Sequence, residues 1–253
     1  MYHFLLSGCN GKMGRVVTHI VQEQPDCDII AGFDINGNPA EYPVYARPLD
    51  FPGTADALID FSNPAYLPAL LELVRQRRIP AVIATTGLSE ADDRLIAQAA
   101  QDVPIFRSAN MSIGISLLSE LVQKAAAVLS DSFDVEIVEM HHNQKVDAPS
   151  GTALMLADAA AAAMPEKPEY VYDRHTQRKK RGKNEIGIHS VRAGTITGEH
   201  EVIFAGPDEV ITLHHSAASR DVFAGGAVRA ARFLRGRQPG LYSMQDLIRT
   251  TGG

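Results

Sequence analysis

Residues 2–24, YHFLLSGCNGKMGRVVTHIVQEQ, predict a strand, a glycine-rich turn and a helix in succession. The apolar run 2–7 is typical of a buried strand, and the residues after Gly14 recur with helical periodicity. Glycines at such a turn let the backbone bend tightly and approach a pyrophosphate, which then faces the positive end of the helix. The stretch therefore indicates the first half of a dinucleotide-binding unit in an α/β fold.

An acidic residue ends the next predicted strand. Residues 28–34 (DIIAGFD) finish at Asp34, which lies 34 − 14 = 20 residues beyond Gly14. A carboxylate at this distance can accept hydrogen bonds from the adenosine ribose of a dinucleotide. The glycine spacing is G-x-x-G-x-x-G rather than the commoner G-x-G-x-x-G, and a surface aspartate in a turn is the plain alternative. Strand, glycines and acid together favour cofactor binding.

The alternation of strands and helices continues beyond residue 56. Strands are predicted at 57–62, 81–86 and 103–107, and helices at 66–78 and 89–101. The strand at 81–86, AVIATT, is almost entirely apolar or β-branched, as expected for a strand buried on both faces. Such alternation predicts a doubly wound parallel sheet with right-handed crossovers.

Two polar turns follow predicted strands of this sheet, at residues 84–87 (ATTG) and 108–111 (SANM). In open parallel sheets, ligands bind at the carboxyl ends of the strands. Each turn is also compatible with an ordinary connection. Their position predicts that both lie where the nicotinamide end of a dinucleotide would bind.

Residues 136–153, EIVEMHHNQKVDAPSGTA, combine titratable side chains with a predicted helix start. Hydrophobic alternation predicts a strand that ends near residue 140, and the alanine-rich run from Thr152 predicts a helix. The N–H groups and the dipole at a helix N-terminus favour a bound carboxylate or phosphate. His141, His142 and Lys145 add positive charge and proton donors beside it. An ordinary capped loop is the simpler alternative for the Ser-Gly-Thr turn alone.

The pattern changes after residue 132. Strands at 186–192, 199–206 and 209–216 follow one another without helices between them, which predicts a mixed or antiparallel sheet in a second, α+β domain. We expect a first domain of residues 1–111 and 220–253 and a second of residues 112–219. The basic stretch 174–183, RHTQRKKRGK, is interpreted as a solvated, mobile loop.

Composition limits the class of protein. With 45% hydrophobic and 21% charged residues, the chain is typical of a soluble globular protein, and its 253 residues are enough for one large domain or two modest ones. The net charge of −6 argues against a nucleic-acid-binding protein. The two cysteines, Cys9 and Cys27, form no disulfide framework, so a reducing cytoplasm is expected. Because no apolar stretch reaches the ~18 residues of a transmembrane helix, we expect no membrane span.

The residues of the stretch 136–153 resemble a family signature. The dihydrodipicolinate reductase family is matched at Glu136, Ile137, Glu139, His141, Lys145, Asp147, Pro149, Ser150, Gly151, Thr152 and Ala153. Similarity extends to residues 8–14, 84–87, 108–114, 192–194, 198–200 and 219–231. The resemblance implies a Rossmann domain, a substrate domain inserted before the last helix, and a homotetramer joined through the substrate-domain sheets. It also implies reduction of 4-hydroxy-tetrahydrodipicolinate by NADH or NADPH in lysine and diaminopimelate biosynthesis.

The resemblance also implies roles for individual residues. His141 and Lys145 are implied as the acid–base pair, without a decision on which delivers the proton. Contacts to a small dicarboxylate substrate are implied for His142, Ser150, Gly151, Thr152 and Thr86. Cofactor contacts are implied for Gly8, Cys9, Asn10, Gly11, Lys12, Met13, Asp34, Ala84, Thr85, Thr86, Ser108, Ala109, Asn110 and Met111. No metal is implied.

The residues after Asp34 bear on the choice of cofactor. A carboxylate there repels the 2′-phosphate of NADPH, and Ile35 stands where some relatives carry an arginine. The next cation along the chain is Arg47, and Lys12 in the glycine-rich turn is the basic candidate close to Asp34. NADH is therefore expected to be favoured.

Three other functions are compatible with parts of the sequence. A two-domain NAD(P)-dependent dehydrogenase of aspartate or diaminopimelate type would share the first domain but has no need of the whole His-Lys-Ser-Gly-Thr set. A non-catalytic dinucleotide-sensing protein would keep residues 8–34 and need neither the histidines nor Lys145. A metal hydrolase is disfavoured because the adjacent histidines at 141–142 and 214–215 would point to opposite faces of a strand.

Overall fold

The computed structural model describes residues 1–37, 40–176 and 178–251, and its contacts divide the chain into two units. Unit 1 comprises Met1–Ile113 with Asp221–Gly253, and unit 2 comprises Gly114–Arg220. The chain thus leaves unit 1 after residue 113 and re-enters it at residue 221. The roles of the two units in binding cofactor and substrate remain predictions.

Unit 1 contains a seven-stranded sheet in which every pairing is parallel. Its strands are β1 (Tyr2–Ser7), β2 (Cys27–Phe33), β3 (Val44–Tyr45), β4 (Ala57–Asp60), β5 (Ala81–Ile83), β6 (Pro104–Arg107) and β12 (Gly240–Tyr242). Their order is β12-β6-β5-β4-β1-β2-β3. The direction of winding reverses between β1 and β4, which opens a ligand-binding crevice at the carboxyl ends of those strands. The predicted doubly wound α/β fold is confirmed.

Helices cover both faces of this sheet. They are α1 (Lys12–Gln22), α2 (Leu67–Arg77), α3 (Glu90–Ala99), α6 (Asp221–Phe233) and α7 (Met244–Thr251). Because side chains alternate along a strand, Phe4 and Leu6 of β1 pack with Val17 of α1 and with α6 on one face. Leu5 packs with Leu70 of α2 on the other face. The result is a three-layer arrangement with one apolar core on each side of the sheet.

Unit 2 contains a five-stranded mixed sheet with helices on one face, the second α+β fold that was predicted. Its elements are α4 (Ile113–Leu129, which begins at the last residue of unit 1), β7 (Asp134–His141), α5 (Gly151–Ala161), β8 (Glu169–Val171), β9 (Glu185–Arg192), β10 (Glu199–Ala205) and β11 (Val210–Ser216). The order is β11-β10-β7-β9-β8. The strand β10 runs antiparallel to β7 and β11, whereas β7 and β8 are parallel to β9.

The strand β7 carries two different faces. Val135 and Ile137 are buried in the core formed with α4 and α5. Asp134 and Glu136 belong to the opposite face, since residues two apart in a strand share a face. One strand therefore supplies both the core of unit 2 and a row of acidic side chains.

The basic stretch is attached to this acidic row. Arg174 donates to Glu136 at 2.8 Å and to Glu185 at 2.8 Å, and Arg181 donates to Glu136 at 3.0 Å and to Asp134 at 2.9 Å. These two arginines are thus paired with carboxylates rather than fully solvated, because half-buried carboxylates need counter-charges. The mobility of the stretch stays a prediction. Gln177, within the stretch, lies outside the described residues.

A missing side chain makes this arrangement possible. Gly187 of β9 is the register partner of Glu136. A Cβ atom on Gly187 would lie 1.7 Å from a carboxylate oxygen of Glu136. The carboxylate therefore occupies the space that any other residue at position 187 would fill.

Two adjacent glycines of α6 provide a test of the packing in unit 1. A Cβ atom on Gly226 would lie 1.7 Å from the carbonyl oxygen of Met111, whereas one on Gly225 meets no atom within 4 Å. Gly226→Ala should lower the free energy of unfolding by about 1–3 kcal/mol, because backbone must move to relieve the overlap. Gly225→Ala should leave it unchanged or raise it by up to ~1 kcal/mol, since alanine favours the helix. Urea unfolding followed by circular dichroism measures both, and equal stabilities would contradict the described contact.

Candidate active site

The glycine-rich turn follows β1 at the crevice of unit 1. Gly8 has φ +75°, and a Cβ atom there would lie 2.7 Å from the carbonyl oxygen of Phe61 at the end of β4. A Cβ atom on Gly14 would lie 2.2 Å from the carbonyl oxygen of Gly8. Both positions therefore require glycine, and the turn closes directly onto the start of α1. Its N–H groups and the positive end of α1 can receive an anionic group.

Asp34 lies beside this turn, as its spacing predicted. One carboxylate oxygen accepts a hydrogen bond from the backbone N–H of Asn10 at 3.1 Å, and the other accepts from that of Asn36 at 3.1 Å. Burial, followed by the charge of Asp34, raises the pKa of the Cys9 thiol to about 11. Cys9 therefore acts as a packed, protonated side chain in the turn.

Both polar turns predicted from the sequence line one cavity of about 560 Å³. The residues of these turns that line it are Ala84, Thr85, Thr86, Gly87, Ser108, Ala109, Asn110 and Met111. Met13 of α1 and Phe61 after β4 complete part of its wall. The structure thus brings the end of the glycine-rich turn and the two strand-end turns around a common space.

Asp60, the last residue of β4, connects the segment after β4 with the turn 84–87 of this cavity. It was not predicted as a site residue. Its carboxyl group accepts hydrogen bonds from the hydroxyls of Ser62 and Thr85, each at 2.6 Å, and from the N–H of Ser62 at 3.0 Å. Burial raises the pKa of Asp60. The signal available was an acid at the end of an apolar strand, which is costly to bury unless it holds something in place.

A smaller groove of about 340 Å³ is lined by Cys9 and Asn10 of the glycine-rich turn. Arg15 and His19 of α1 also line it. Lys12 was predicted as the basic residue of this region, and neither of these two side chains was predicted to lie there. Their i, i+4 spacing on one helix was the signal that could have found them.

In unit 2, Glu139 of β7 collects hydrogen bonds from several elements. It is fully buried. Nδ1 of His141 lies 2.6 Å from one carboxylate oxygen, the Arg192 guanidinium donates to both oxygens at 2.8 Å, and the Ser150 N–H donates at 3.1 Å. Burial opposes ionisation of Glu139, but these donors outweigh it and lower its pKa to about 2. An ionised carboxylate therefore links the end of β7, β9 and the start of α5.

The helix α5 begins where the sequence placed an anion site. Ser150 is its N-cap, and the hydroxyl oxygen accepts from the N–H of Ala153 at 3.1 Å. Gly151 opens the helix, and a Cβ atom there would meet nothing within 4 Å. Thr152 follows in the first turn. This helix start offers space and a positive dipole end to a carboxylate.

His200 of β10 completes the cluster and was not predicted as a site residue. Its Nε2 lies 3.1 Å from the Ser150 hydroxyl, and its ring meets the His141 ring edge to face at 5.2 Å. Burial, and then the neighbouring His141, lower the pKa of His200 to about 4. The ring is therefore neutral at physiological pH. The sequence signal was a histidine at an inward position of a predicted strand.

His142 and Lys145 lie on the segment that connects β7 to α5. The Lys145 ammonium pairs with Asp147 at 2.8 Å and is the leading cause of the lowered pKa of Asp147. The carbonyl of His142 accepts a hydrogen bond from the Lys145 N–H at 3.1 Å. The two residues of the expected acid–base pair therefore have different partners. His141 is hydrogen-bonded to Glu139, and Lys145 is ion-paired with Asp147.

Within residues 1–37, 40–176 and 178–251, no three His, Cys, Asp or Glu side chains are grouped so that they could hold a metal ion. No helix in those ranges has the length and apolar character needed to cross a membrane.

His200 gives a testable pH dependence of stability. The unfolded chain binds a proton at this ring below its ordinary pKa of 6.5, whereas the folded protein does so only near pH 4, so stability falls as the pH decreases through that window. Between pH 6.5 and pH 5 the loss amounts to about 2 kcal/mol. His200→Gln should lack this part of the loss when urea unfolding is compared at the two pH values. The matched control is His214→Gln, which removes a more exposed histidine from β11. Identical pH dependence of wild type and His200→Gln would refute the assignment.

Two family models match the chain, one for each part. Residues 2–111 match the model described as "Dihydrodipicolinate reductase, N-terminus", and residues 114–248 match "Dihydrodipicolinate reductase, C-terminus". Together they cover both units.

Relatives and solved structures agree with this match. The chain is 55% identical over 249 residues to the 4-hydroxy-tetrahydrodipicolinate reductase of Caldanaerobacter subterraneus subsp. tengcongensis, covering 98% of this chain and 99% of the relative. It is 45% identical to that of Clostridium tetani, covering 98% and 97%. Dipicolinate-bound dihydrodipicolinate reductase from Paenisporosarcina sp. TG-14 superimposes with a TM-score of 0.80 at 26% identity, over 96% of this chain and 97% of that one. The chain therefore belongs to the dihydrodipicolinate reductase family, a family of oxidoreductases.

Proposed function

We propose that the chain reduces 4-hydroxy-tetrahydrodipicolinate to tetrahydrodipicolinate with hydride from NADH or NADPH, as a step of lysine and diaminopimelate biosynthesis. The observation that carries the proposal is the ionised Glu139, which joins His141 to the helix start at Ser150. A proton donor and an anion site held by one carboxylate are what reduction of a dicarboxylate needs. The names of the relatives and the dipicolinate bound to the solved family member support the same substrate class.

The cofactor is assigned to unit 1. The close-packed glycine-rich turn leads into the start of α1, which suits a pyrophosphate. Asp34 suits the adenosine ribose, and the cavity lined by residues 84–87 and 108–111 suits the nicotinamide. The cofactor supplies the hydride, and the protein positions it. No metal takes part in the proposed reaction.

The substrate is assigned to residues of unit 2, with Thr86 from the cofactor unit as a further contact. One carboxylate binds at the start of α5, at Ser150, Gly151 and Thr152. His142 and Lys145 supply donors and positive charge for the other end of the ligand. Hydride addition to a conjugated carbon leaves an anionic, enamine-like centre that needs a proton, and general acids contribute ~10²–10⁴-fold to such steps. With the hydroxylated substrate, the same groups assist the loss of water.

His141 is the proposed proton donor, and Lys145 is proposed mainly to bind a carboxylate. The Lys145 ammonium is paired with Asp147 at 2.8 Å. The His141 ring is held by Glu139 at Nδ1, which leaves Nε2 for proton transfer.

The alternative functions are weaker, because a dinucleotide-sensing protein needs no buried histidine–carboxylate pair. The similarity to the C. glutamicum DAP dehydrogenase, at 14% identity and a TM-score of 0.58, reflects the fold alone.

A homotetramer in the cytoplasm belongs to the proposal. The edge strand β11 leaves Val210 and Ile211 62% and 37% exposed, and an exposed apolar edge favours association of two sheets. Sedimentation equilibrium gives the mass in solution.

The free, buried Cys9 and Cys27 are compatible with a reducing compartment.

The decisive assay follows the loss of NADH absorbance with enzymatically generated 4-hydroxy-tetrahydrodipicolinate. Pyridine-2,6-dicarboxylate, a planar dicarboxylate, is expected to compete with the substrate and not with NADH. Absence of turnover with both NADH and NADPH would refute the proposed function.

Single substitutions separate the two proposed roles in catalysis. His141→Ala should lower kcat by about 10²–10⁴-fold, because it removes the general acid. Lys145→Ala should act more on KM, because its charge holds the dianion. Neither should change NADH affinity much, which fluorescence titration measures, since neither belongs to the cofactor unit. A larger loss of kcat in Lys145→Ala than in His141→Ala would transfer the acid role to Lys145.

The choice of cofactor is tested at Ile35, which is 74% exposed and follows Asp34. NADH is expected to be preferred or used equally, because the Asp34 carboxylate repels a 2′-phosphate. Arg15 and His19 line the neighbouring groove. Ile35→Arg should shift kcat/KM toward NADPH, whereas Ile35→Gln, similar in length but uncharged, should not. A wild-type preference for NADPH of about tenfold, worth ~1.4 kcal/mol, would mean that Arg15, His19 or Lys12 outweighs Asp34.

A further inference from the structure

We propose that Glu139 is a positioning residue for the reduction: it holds His141 as the Nδ1–H tautomer and fixes the start of α5 with the same carboxylate. The inference rests on the proposed function, because it names the residue that prepares the proton donor and the anion site of that reaction. Glu139 itself touches neither ligand in this proposal.

The tautomer follows from the surroundings of the carboxylate. Glu139 is fully buried and accepts from His141, from both terminal nitrogens of Arg192 and from the Ser150 N–H. A carboxylate held by a bidentate guanidinium and a backbone N–H is ionised, and an ionised carboxylate can only accept. The hydrogen in the 2.6 Å contact therefore belongs to Nδ1 of His141.

The other ring nitrogen is consequently the one that gains and loses a proton. A Cβ atom on Gly198 would lie 3.1 Å from Nε2 of His141, so the glycine leaves space in front of that atom. The His200 ring packs edge to face with the His141 ring, and Nε2 of His200 lies within hydrogen-bond distance of the Ser150 hydroxyl. Nε2 of His141 is thus the atom at which the protonated ring carries the proton to be donated, and Gly198 leaves room beside it.

The second oxygen of Glu139 extends the same control to the anion site. It accepts from the Ser150 N–H at 3.1 Å and from Arg192 at 2.8 Å, and Arg192 also donates to the carbonyl of Asp147 at 2.6 Å. The segment between His141 and α5 is therefore tied at both ends to one side chain. A shift of the carboxylate would move donor and helix start together.

The charged groups around the cluster are Arg192 on β9 and the Lys145–Asp147 pair in the connecting segment. His200 on β10 also borders the cluster and is neutral. The negative charge that faces the His141 ring directly is that of Glu139. Loss of this charge should therefore remove the favourable interaction that Glu139 has with a positive charge on the His141 ring.

Glu139→Gln tests the proposal, with Glu136→Gln as the matched control. Both glutamates lie on β7 and bind arginines, but they occupy opposite faces of the sheet. The glutamine amide must donate at one position, which opposes either the His141 N–H or the guanidinium. Glu139→Gln should lower kcat by about 10²-fold or more, most of the general-acid contribution. It should also move the alkaline limb of the kcat profile to lower pH and weaken pyridine-2,6-dicarboxylate binding, whereas Glu136→Gln should do none of these.

The tautomer is measured without turnover, by nitrogen-15 NMR of histidine-labelled protein at alkaline pH, with His141→Gln to assign the resonance. We expect Nδ1–H in wild type and Glu136→Gln, and its loss in Glu139→Gln. A wild-type Nε2–H tautomer, or an unchanged ring and kcat in Glu139→Gln, overturns the proposal. The expected tautomer change in a protein without reductase activity would refute the proposed function while supporting the positioning by Glu139.

A second variant keeps the test available if Glu139→Gln does not fold. Removing one partner of a buried ion pair leaves the other charge uncompensated, whereas removing both does not. The double variant Glu139→Gln/Arg192→Gln keeps the shape and carries the same NMR test. Retention of the Nδ1–H tautomer in that variant also overturns the proposal.

Discussion

A charge with no access to water must be surrounded by donors, and the carboxylate of Glu139 imposes that requirement on unit 2. Its donors come from the end of β7, from β9 and from the backbone before α5. Elements that are distant in sequence must therefore meet at one point, which fixes the register of β7 against β9 and the position at which α5 can start. The hydrophobic core sets the layers of the unit, but this ion sets the details of its polar end.

Unit 1 follows a related rule at Asp60, which is buried at the end of β4 and bonded to Ser62 and Thr85. There the acid is satisfied by hydroxyl donors rather than by an arginine, and it holds two turns of one cavity together. In both units the apolar core positions the strands, and a buried acid then positions the loops at their ends. Precision at the candidate sites depends on polar groups that contribute little to the hydrophobic core.

Much of the fold could be predicted from local pattern. The alternation of strands and helices predicted the parallel sheet, and serial strands predicted the mixed sheet, because both depend on periodicity within short windows. The strands β3, β8 and β12 were not predicted, since two or three residues carry no period. The family signature led to His141 and Ser150, but not to Arg192, His200 or Asp60 as site residues. Those roles arise from contacts over long sequence separations, and so does the attachment of Arg174 and Arg181 to Glu136.

The pairing of Glu136 with Gly187 has a consequence for how this protein can vary. The carboxylate lies over the neighbouring strand only because position 187 has no side chain, and two arginines of the connecting stretch bind to that carboxylate. The placement of these two arginines is therefore encoded in part at position 187 of β9, outside their own stretch. Over evolutionary time, positions 136 and 187 are bound to change together, and a designer could loosen the stretch without altering any of its own residues.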